Sequence, residues 1–295
     1  MRVFTLNLVP LFVVGLAFII SGTPAIFFLE NSKLAQIVYL GLAPLIFVLV
    51  YILVAGIISL PFQRAIVSGV FPRDIKIPVY LGRRVYGVCI NAVTNFSLVF
   101  GLILQTDFLK KLYFRIFGYE GSLKFTTYQD TWLRDYKLLT FGDGAYLGGG
   151  AILGTNIVLS DGNIMVGRVK VLDNSQIGRL CILGPGSRVG KNSEVGVSVI
   201  FGIRTRVADN VKINGSTGIS HAVEIEDNVT VGEHSYIGTK VKIREGIEVA
   251  KCSSISEGVI ISTQEDMDNY IEVQNNHLSA LLNERLTLLD SVGRE

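Results

Sequence analysis

Residues 183–207 read LGPGSRVGKNSEVGVSVIFGIRTRV, and the large apolar residue at every sixth place, Leu183, Val189, Val195, Phe201 and Val207, decides the fold. Followed outward, the register begins at Phe141 and holds for twenty-one consecutive hexads to Ile261. It passes Leu147, Leu153, Leu159, Met165, Val171 and Ile177 before the quoted stretch, and Ile213, Ile219, Ile225, Val231, Ile237, Ile243, Val249 and Ile255 after it. Helices repeat side chains every 3.6 residues and strands every 2, so a six-residue period needs a larger repeating unit. A parallel β-helix supplies one, each hexad making one flat side and one turn. Four residues after the apolar position stands Ala, Ser, Thr, Val or Cys in seventeen of the hexads, as at Ala145, Ser187, Thr205 and Val241, which predicts a cramped interior site. Gly follows the apolar residue directly in ten, as at Gly184 and Gly190, where a corner needs a backbone free of Cβ constraints.

The remainder of the chain has a different character. Of 295 residues, 49% are apolar, and the excess over a soluble domain lies before residue 110. Residues 6–29 and 34–63 carry no charge, and each run is long enough to cross a hydrocarbon core of about 30 Å as a helix. Residues 1–63 therefore read as a transmembrane helical hairpin. A cleaved signal peptide fits poorly, because the first run is too long and a second span follows at once. Arg64, Arg73, Lys76, Arg83 and Arg84 follow the second run, against Lys33 alone between the runs. The positive-inside rule then places both ends of the hairpin, and the β-helix, in the cytoplasm. The third uncharged stretch, 85–105, carries Asn91, Asn95 and Ser97 with basic residues on both sides, which favours a re-entrant or interface-lying helix over a third span. Residues 64–140 thus form a basic juxtamembrane region and connector, with an amphipathic helix expected at the bilayer surface around Phe108 to Ile116. The β-helix occupies 141–266, and 267–295 is expected to form a helix that covers the last coil.

The units LGPGSR, VGKNSE, VGEHSY and IGTKVK resemble the hexapeptide repeat of bacterial transferases. That resemblance implies a left-handed parallel β-helix, three hexads to a triangular coil, and a trimer. Twenty-one hexads would make about seven coils, on the order of 33 Å long at strand spacing. The left hand is implied by the family and opposes the usual crossover rule. The order of apolar pair, FPRDIKIPVY, LKKLYFRIFGY, DYKLLTFGDGAYLGGGAIL and LSDGNIMVGRV also resembles the membrane-embedded C-terminal region of ε-poly-lysine-synthetase-like enzymes, over about residues 1–217. Adenylation and carrier domains are missing from these residues, so the resemblance implies an activated donor, or a carrier-protein or synthetase partner, from elsewhere.

Acyl transfer needs a base for the nucleophile and donors for the tetrahedral oxyanion. The fragment ISHAVEIEDNVTVG, with His221 at the third place of its hexad, is similar to the catalytic segment of hexapeptide-repeat acyltransferases such as the UDP-N-acetylglucosamine acyltransferases. That similarity implies His221 as general base and the backbone amide of Thr239, eighteen residues on, as oxyanion donor. The carboxylate commonly beside the family's histidine is replaced by Ala222, leaving Glu224, Asp227, Glu257 or a neighbouring subunit to orient the ring. The plainer reading of His221 is a corner histidine facing solvent. His234 falls in a variable corner and His277 in the terminal helix, so the three histidines do not form a zinc site. Gly148 to Gly150 fall within the hexad register, with no phosphate-loop lysine after them.

Cys89, Cys181 and Cys252 lie far apart and read as packing residues. A formal net charge of +2 gives no reason to expect nucleic acid, whereas the juxtamembrane cations suit membrane lipid. All twenty-one hexads are expected to run without the external loop that often builds an acceptor site in this superfamily. The expectation is a multi-pass protein of a bacterial inner membrane that transfers an acyl group, acetyl first, from acyl-CoA to an amine or hydroxyl of an envelope precursor, with no permanently bound cofactor. Two alternatives stand beside it: a non-catalytic β-helix scaffold organising a membrane complex, and an aminoacyl condensation partner.

Overall fold

A computed structural model describes residues 2–29 and 33–274, with side chains of the first helix described from Leu8 to Pro24. Three parallel sheets wrap into a seven-coil β-helix, preceded by five helices and closed by a sixth. The hexad register explains the core. Every sixth residue from Val171 to Ile261 is at most 3% exposed, and each such burial stabilises by about 1.5–3 kcal/mol relative to exposure. Coils stack in steps of eighteen residues, as in Ile182↔Ile200, Arg188↔Arg206 and Glu194↔Lys212. We call the sheet through Val189 face 1, the sheet through Val195 face 2 and the sheet through Phe201 face 3. The cramped residues four after the apolar position are buried from Val169 to Ser253, and from Ser175 to Ser235 the Ser and Thr hydroxyls among them donate to carbonyls of the next coil, as from Ser193 to Ala208 (2.8 Å) and Thr205 to Ser220 (2.9 Å).

The corner glycines are needed for space. A Cβ on Gly202 or Gly238 would stand 2.6 or 2.7 Å from the next coil, whereas positive φ falls two residues later, at Arg204 and Lys240.

One expectation fails. The prism is interrupted: between coils the steps Leu139↔Val169, Tyr146↔Gln176 and Ile152↔Ile182 are thirty residues, twelve more than the eighteen of the later coils. The excess is an antiparallel hairpin, Asn156–Val158 with Ile164–Val166, thrown out from the edge between faces 3 and 1. Leu159 and Met165 therefore lie outside the coils. Twelve residues are two hexads, so the loop preserves the phase and hides from a periodicity count. The seven coils are made up at the other end, where Trp132–Leu133 pairs with Ile152–Leu153 and Thr126 bridges Tyr146. The β-helix thus begins before Phe141.

The outer strand of this small sheet comes from the juxtamembrane region: Gly69–Phe71 pairs antiparallel with Ile164–Val166. It follows α1 (Arg2–Leu29) and α2 (Lys33–Ser59), which lie side by side with Phe18 and Phe47 rings 4.7 Å apart and the Tyr39 hydroxyl donating to Ser21 O (2.9 Å). Helix α2 and the 3₁₀ turn Leu60–Ala65 form one segment long and apolar enough to cross a membrane by length and composition. The described apolar part of α1, Leu8–Pro24, is shorter. Helices α3 (Pro78–Thr94) and α4 (Ser97–Gln105) meet at 82°, the shape of a broken span or a re-entrant loop.

Helix α5 (Asp107–Ile116) forms as its amphipathic pattern predicts, with much of its apolar face packed against the prism and Phe108 left exposed. Leu109, Tyr113 and Phe114 are buried, and the rings of Tyr113–Tyr136, Phe114–Phe125 and Phe125–Phe141 stand 4.8–5.6 Å apart, closing the first coil. Aromatic pairs at this spacing add about 0.5–1.5 kcal/mol each beyond their buried area. At the far end a helix over 264–274 covers the last coil: Met267 is buried, and Gln274 Nε2 donates to Ser254 O (2.7 Å). The apolar positions from Leu278 onward lie outside the described residues.

Candidate functional site

The edge between faces 3 and 1 carries the histidine and the hairpin together. At its third hexad place Pro185, Ile203, His221, Thr239 and Glu257 succeed one another, one per coil. The stacking is fixed by bonds from the following residue to the coil before, Ala222 N–H to Ile203 O, Lys240 N–H to His221 O and Gly258 N–H to Thr239 O, each 2.8 Å. Thr239 therefore stands one coil from His221, as its eighteen-residue offset predicts.

His221 is exposed, and its Nδ1 accepts the Ile203 N–H at 2.9 Å. On the edge between faces 1 and 2, aspartates at the same hexad place do the same: Asp209 Oδ1 accepts Lys191 N–H and Asp227 Oδ1 accepts Asp209 N–H, both at 2.7 Å. His221 thus fills a ladder position that elsewhere takes a carboxylate. In this assigned orientation the neutral ring keeps its proton on Nε2 and presents a donor to solvent. Gly202 makes room for the ring, since a Cβ there would stand 2.6 Å from His221 Nδ1.

None of the candidate carboxylates orients this ring. Glu224 is held by Lys242 (2.9 Å) and loosely by Arg206 (3.5 Å), and the hydrogen bond from Lys242 keeps its carboxyl below the usual range. Asp227 is committed to the neighbouring edge, and Glu257 stands two coils away, about 10 Å at strand spacing. Thr239 Oγ1 lies 2.8 Å from Ser220 Oγ, and among the described residues its backbone N–H donates to no protein group. Amides at this hexad place point toward the following coil, as those of Ile203 and Lys191 do, so the amide against the imidazole is that of Ile203. His234 is exposed at φ +58° on the edge between faces 2 and 3, apart from His221, and His277 lies outside the described residues. Among the described residues no three His, Cys, Asp or Glu side chains are grouped to hold a metal.

Sequence reasoning missed the neighbourhood of the hairpin. A groove of about 630 Å³ opens between Gly69–Val70, Met165–Arg168 and the prism, and its wall carries Arg168, Lys170, Arg188, Arg204 and Arg206. The signal was available, because 170, 188 and 206 are eighteen apart and stack once the hexads are laid in coils. Arg204 sits one coil from His221 on the hairpin side of the same edge.

No protein-family model matches the chain, and no curated protein matches it by sequence. Among solved structures it is similar to the acetyltransferase domain of PglB from Neisseria gonorrhoeae in complex with acetyl coenzyme A, at 21% identity, 32% of this chain, 49% of that chain and a TM-score of 0.31. It is also similar to the UDP-N-acetylglucosamine acyltransferase of Francisella novicida (12%; 46% and 62% of the two chains; 0.33). A third is a mutant perosamine N-acetyltransferase of Caulobacter crescentus in complex with CoA and GDP-perosamine (16%; 57% and 62%; 0.28). The chain spans about half the length of the first and under two thirds of the other two. With scores of this size, the β-helix rests on its own strand register.

Proposed function

We propose that this chain is a membrane-anchored acyltransferase whose reaction takes place on the edge between faces 3 and 1. The observation that carries the reading is the convergence on that one edge of the hairpin, the cationic groove and the chain's one described histidine on a stacked third-place column. An acceptor amine or hydroxyl gives its proton to His221 Nε2 as it attacks the thioester carbonyl. The oxyanion so formed is held by a backbone amide, Thr239 in the first instance, and the carbon–sulfur bond then breaks as the imidazolium returns the proton to the departing thiolate. For this the ring must release the Ile203 amide and carry its hydrogen on Nδ1, a change that substrate binding has to drive.

Acyl-CoA, acetyl-CoA first, is the donor in this reading, and an envelope precursor of a bacterial inner membrane is the acceptor, with the prism in the cytoplasm. The outward residues Ile182, Ile200 and Tyr236 of face 3 are 37%, 52% and 52% exposed, which supports assembly with further copies, a trimer in the superfamily's manner. A carboxylate from a neighbouring copy would then orient His221.

The scaffold reading has its own observation: the Nδ1–Ile203 bond is a structural rung that needs no catalysis to explain it. Titration of the detergent-solubilised chain with acetyl-CoA and longer acyl-CoAs separates the two, with micromolar binding expected for an enzyme. Absence of binding by every thioester transfers the weight to the scaffold, or to a carrier-protein donor as in an aminoacyl condensation partner. Thr239→Ala tests the amide role. It keeps the N–H and loses a hydroxyl contact worth about 1 kcal/mol, so turnover is expected within about twofold of wild type. A loss of 100-fold would assign the role to the side chain instead.

A further inference from the structure

The cationic groove is out of balance with the rest of the prism. Lys170 lies directly opposite Arg188, and Arg188 opposite Arg206, on neighbouring strands of face 1. Like charges so placed repel across roughly 4.8 Å. Beyond this point the same row alternates, Arg206 with Glu224 and Glu224 with Lys242, and ion pairs form. Face 2 sets Glu194 beside Lys212. The run of three cations thus occurs only where the hairpin stands over the face. Arg168 and Arg204 add to it, and no carboxylate lines the groove. Among the described residues no ion pair engages Arg168, Lys170, Arg188 or Arg204, while Arg206 has only the 3.5 Å contact with Glu224.

The opposite wall is also informative. It is the strand Gly69–Phe71, four residues beyond the segment Lys33–Ala65 that is long and apolar enough to span a membrane. A groove walled by that strand opens close to where the apolar layer would end. Its size exceeds that of one inorganic phosphate, and Arg guanidinium groups suit the paired oxygens of phosphoryl groups.

We infer that this groove binds the phosphate-bearing headgroup of a lipid at the membrane surface, the five cations meeting its phosphoryl oxygens and the hairpin with Gly69–Phe71 forming the lip. The site does not depend on acyl transfer, and its test contains no thioester, so either conclusion can fail alone.

The test uses the full chain in detergent micelles with fluorescent phosphatidic acid as lipid phosphomonoester, phosphatidylglycerol as a lipid with a less charged phosphodiester, and inorganic pyrophosphate as soluble competitor. Wild type is expected to bind phosphatidic acid roughly 10-fold more tightly than phosphatidylglycerol, and pyrophosphate to displace it. R188A/R204A is expected to lose about 10-fold or more, since each Arg gives a charge-assisted bond. K212A/K251A, two exposed cations away from the groove, should change affinity less than about twofold, and circular dichroism checks that both pairs fold. Equal losses in the two double variants, or none in R188A/R204A, would overturn the site. Pyrophosphate binding without phosphatidic acid binding would overturn the lipid source and leave a soluble phosphate ligand.

Discussion

His221→Asn is expected to leave the coil as stable as wild type while cutting acyl transfer at least about 100-fold, the lower end of what a positioned general base contributes. The argument uses the ladder itself. Asn Oδ1 can accept the Ile203 N–H as Asp209 and Asp227 carboxylates accept their own partners on the next edge, so the structural rung survives. What Asn cannot do is take and return a proton near neutral pH. His221→Ala removes both functions, leaves the Ile203 amide to water, and is expected to cost about 1 kcal/mol in stability besides. Thermal unfolding and acyl-transfer assays on the two variants together decide the role. An Asn variant that turns over like wild type would reduce His221 to a rung, whereas lost turnover with unchanged unfolding would assign it to the reaction.

Asp135→Ala is expected to destabilise the chain by about 3–5 kcal/mol, the usual cost of stranding a buried charge. For a protein of this size that lowers Tm by roughly 6–20 °C. Arg83 on α3 meets Asp135 at 2.6 Å, with both side chains only 7% exposed, and Thr155 Oγ1 adds a hydrogen bond of 2.5 Å to the same carboxylate oxygen. Asp135 sits at φ +52°, a conformation Asp tolerates better than most residues, at the first corner of the prism. Removing it leaves a guanidinium buried beneath the helices, where Nη1 already has no partner. The double variant R83M/D135A, with no charge left to strand, should recover a substantial part of the loss. If it is as unstable as the single variant, packing around Asp135 matters more than the pair.

The β-helix was legible because its core is written in a single repeated register, and a period of six has few structural solutions. The helical hairpin was legible for the corresponding reason, uninterrupted apolar length. The hairpin in the prism was hidden by its own length, since a loop of twelve residues leaves Leu159 and Met165 in phase. A trace did remain: four residues after Leu159 stands the polar Asn163, at a place that within the coils holds a small or β-branched residue. What covers much of the apolar face of α5 was not legible, because amphipathicity states that a face is covered and not by what. An aromatic cluster at the mouth of the first coil covers it, built from residues that no periodic pattern joins. As for the site, position in the hexad predicted that His221 and Thr239 occupy adjacent coils, but the tautomer follows from a backbone amide eighteen residues earlier, which only three-dimensional stacking reveals.

The three-stranded sheet has a mechanical meaning. It joins a strand that leaves the apolar helices to a loop thrown out by the second coil, through three residue pairs on each side that must part together. Side-chain contacts between two such bodies would slip; a hydrogen-bonded ladder transmits force along its length. Tilting the helices would thus move the rim of the groove instead of being absorbed by slack chain.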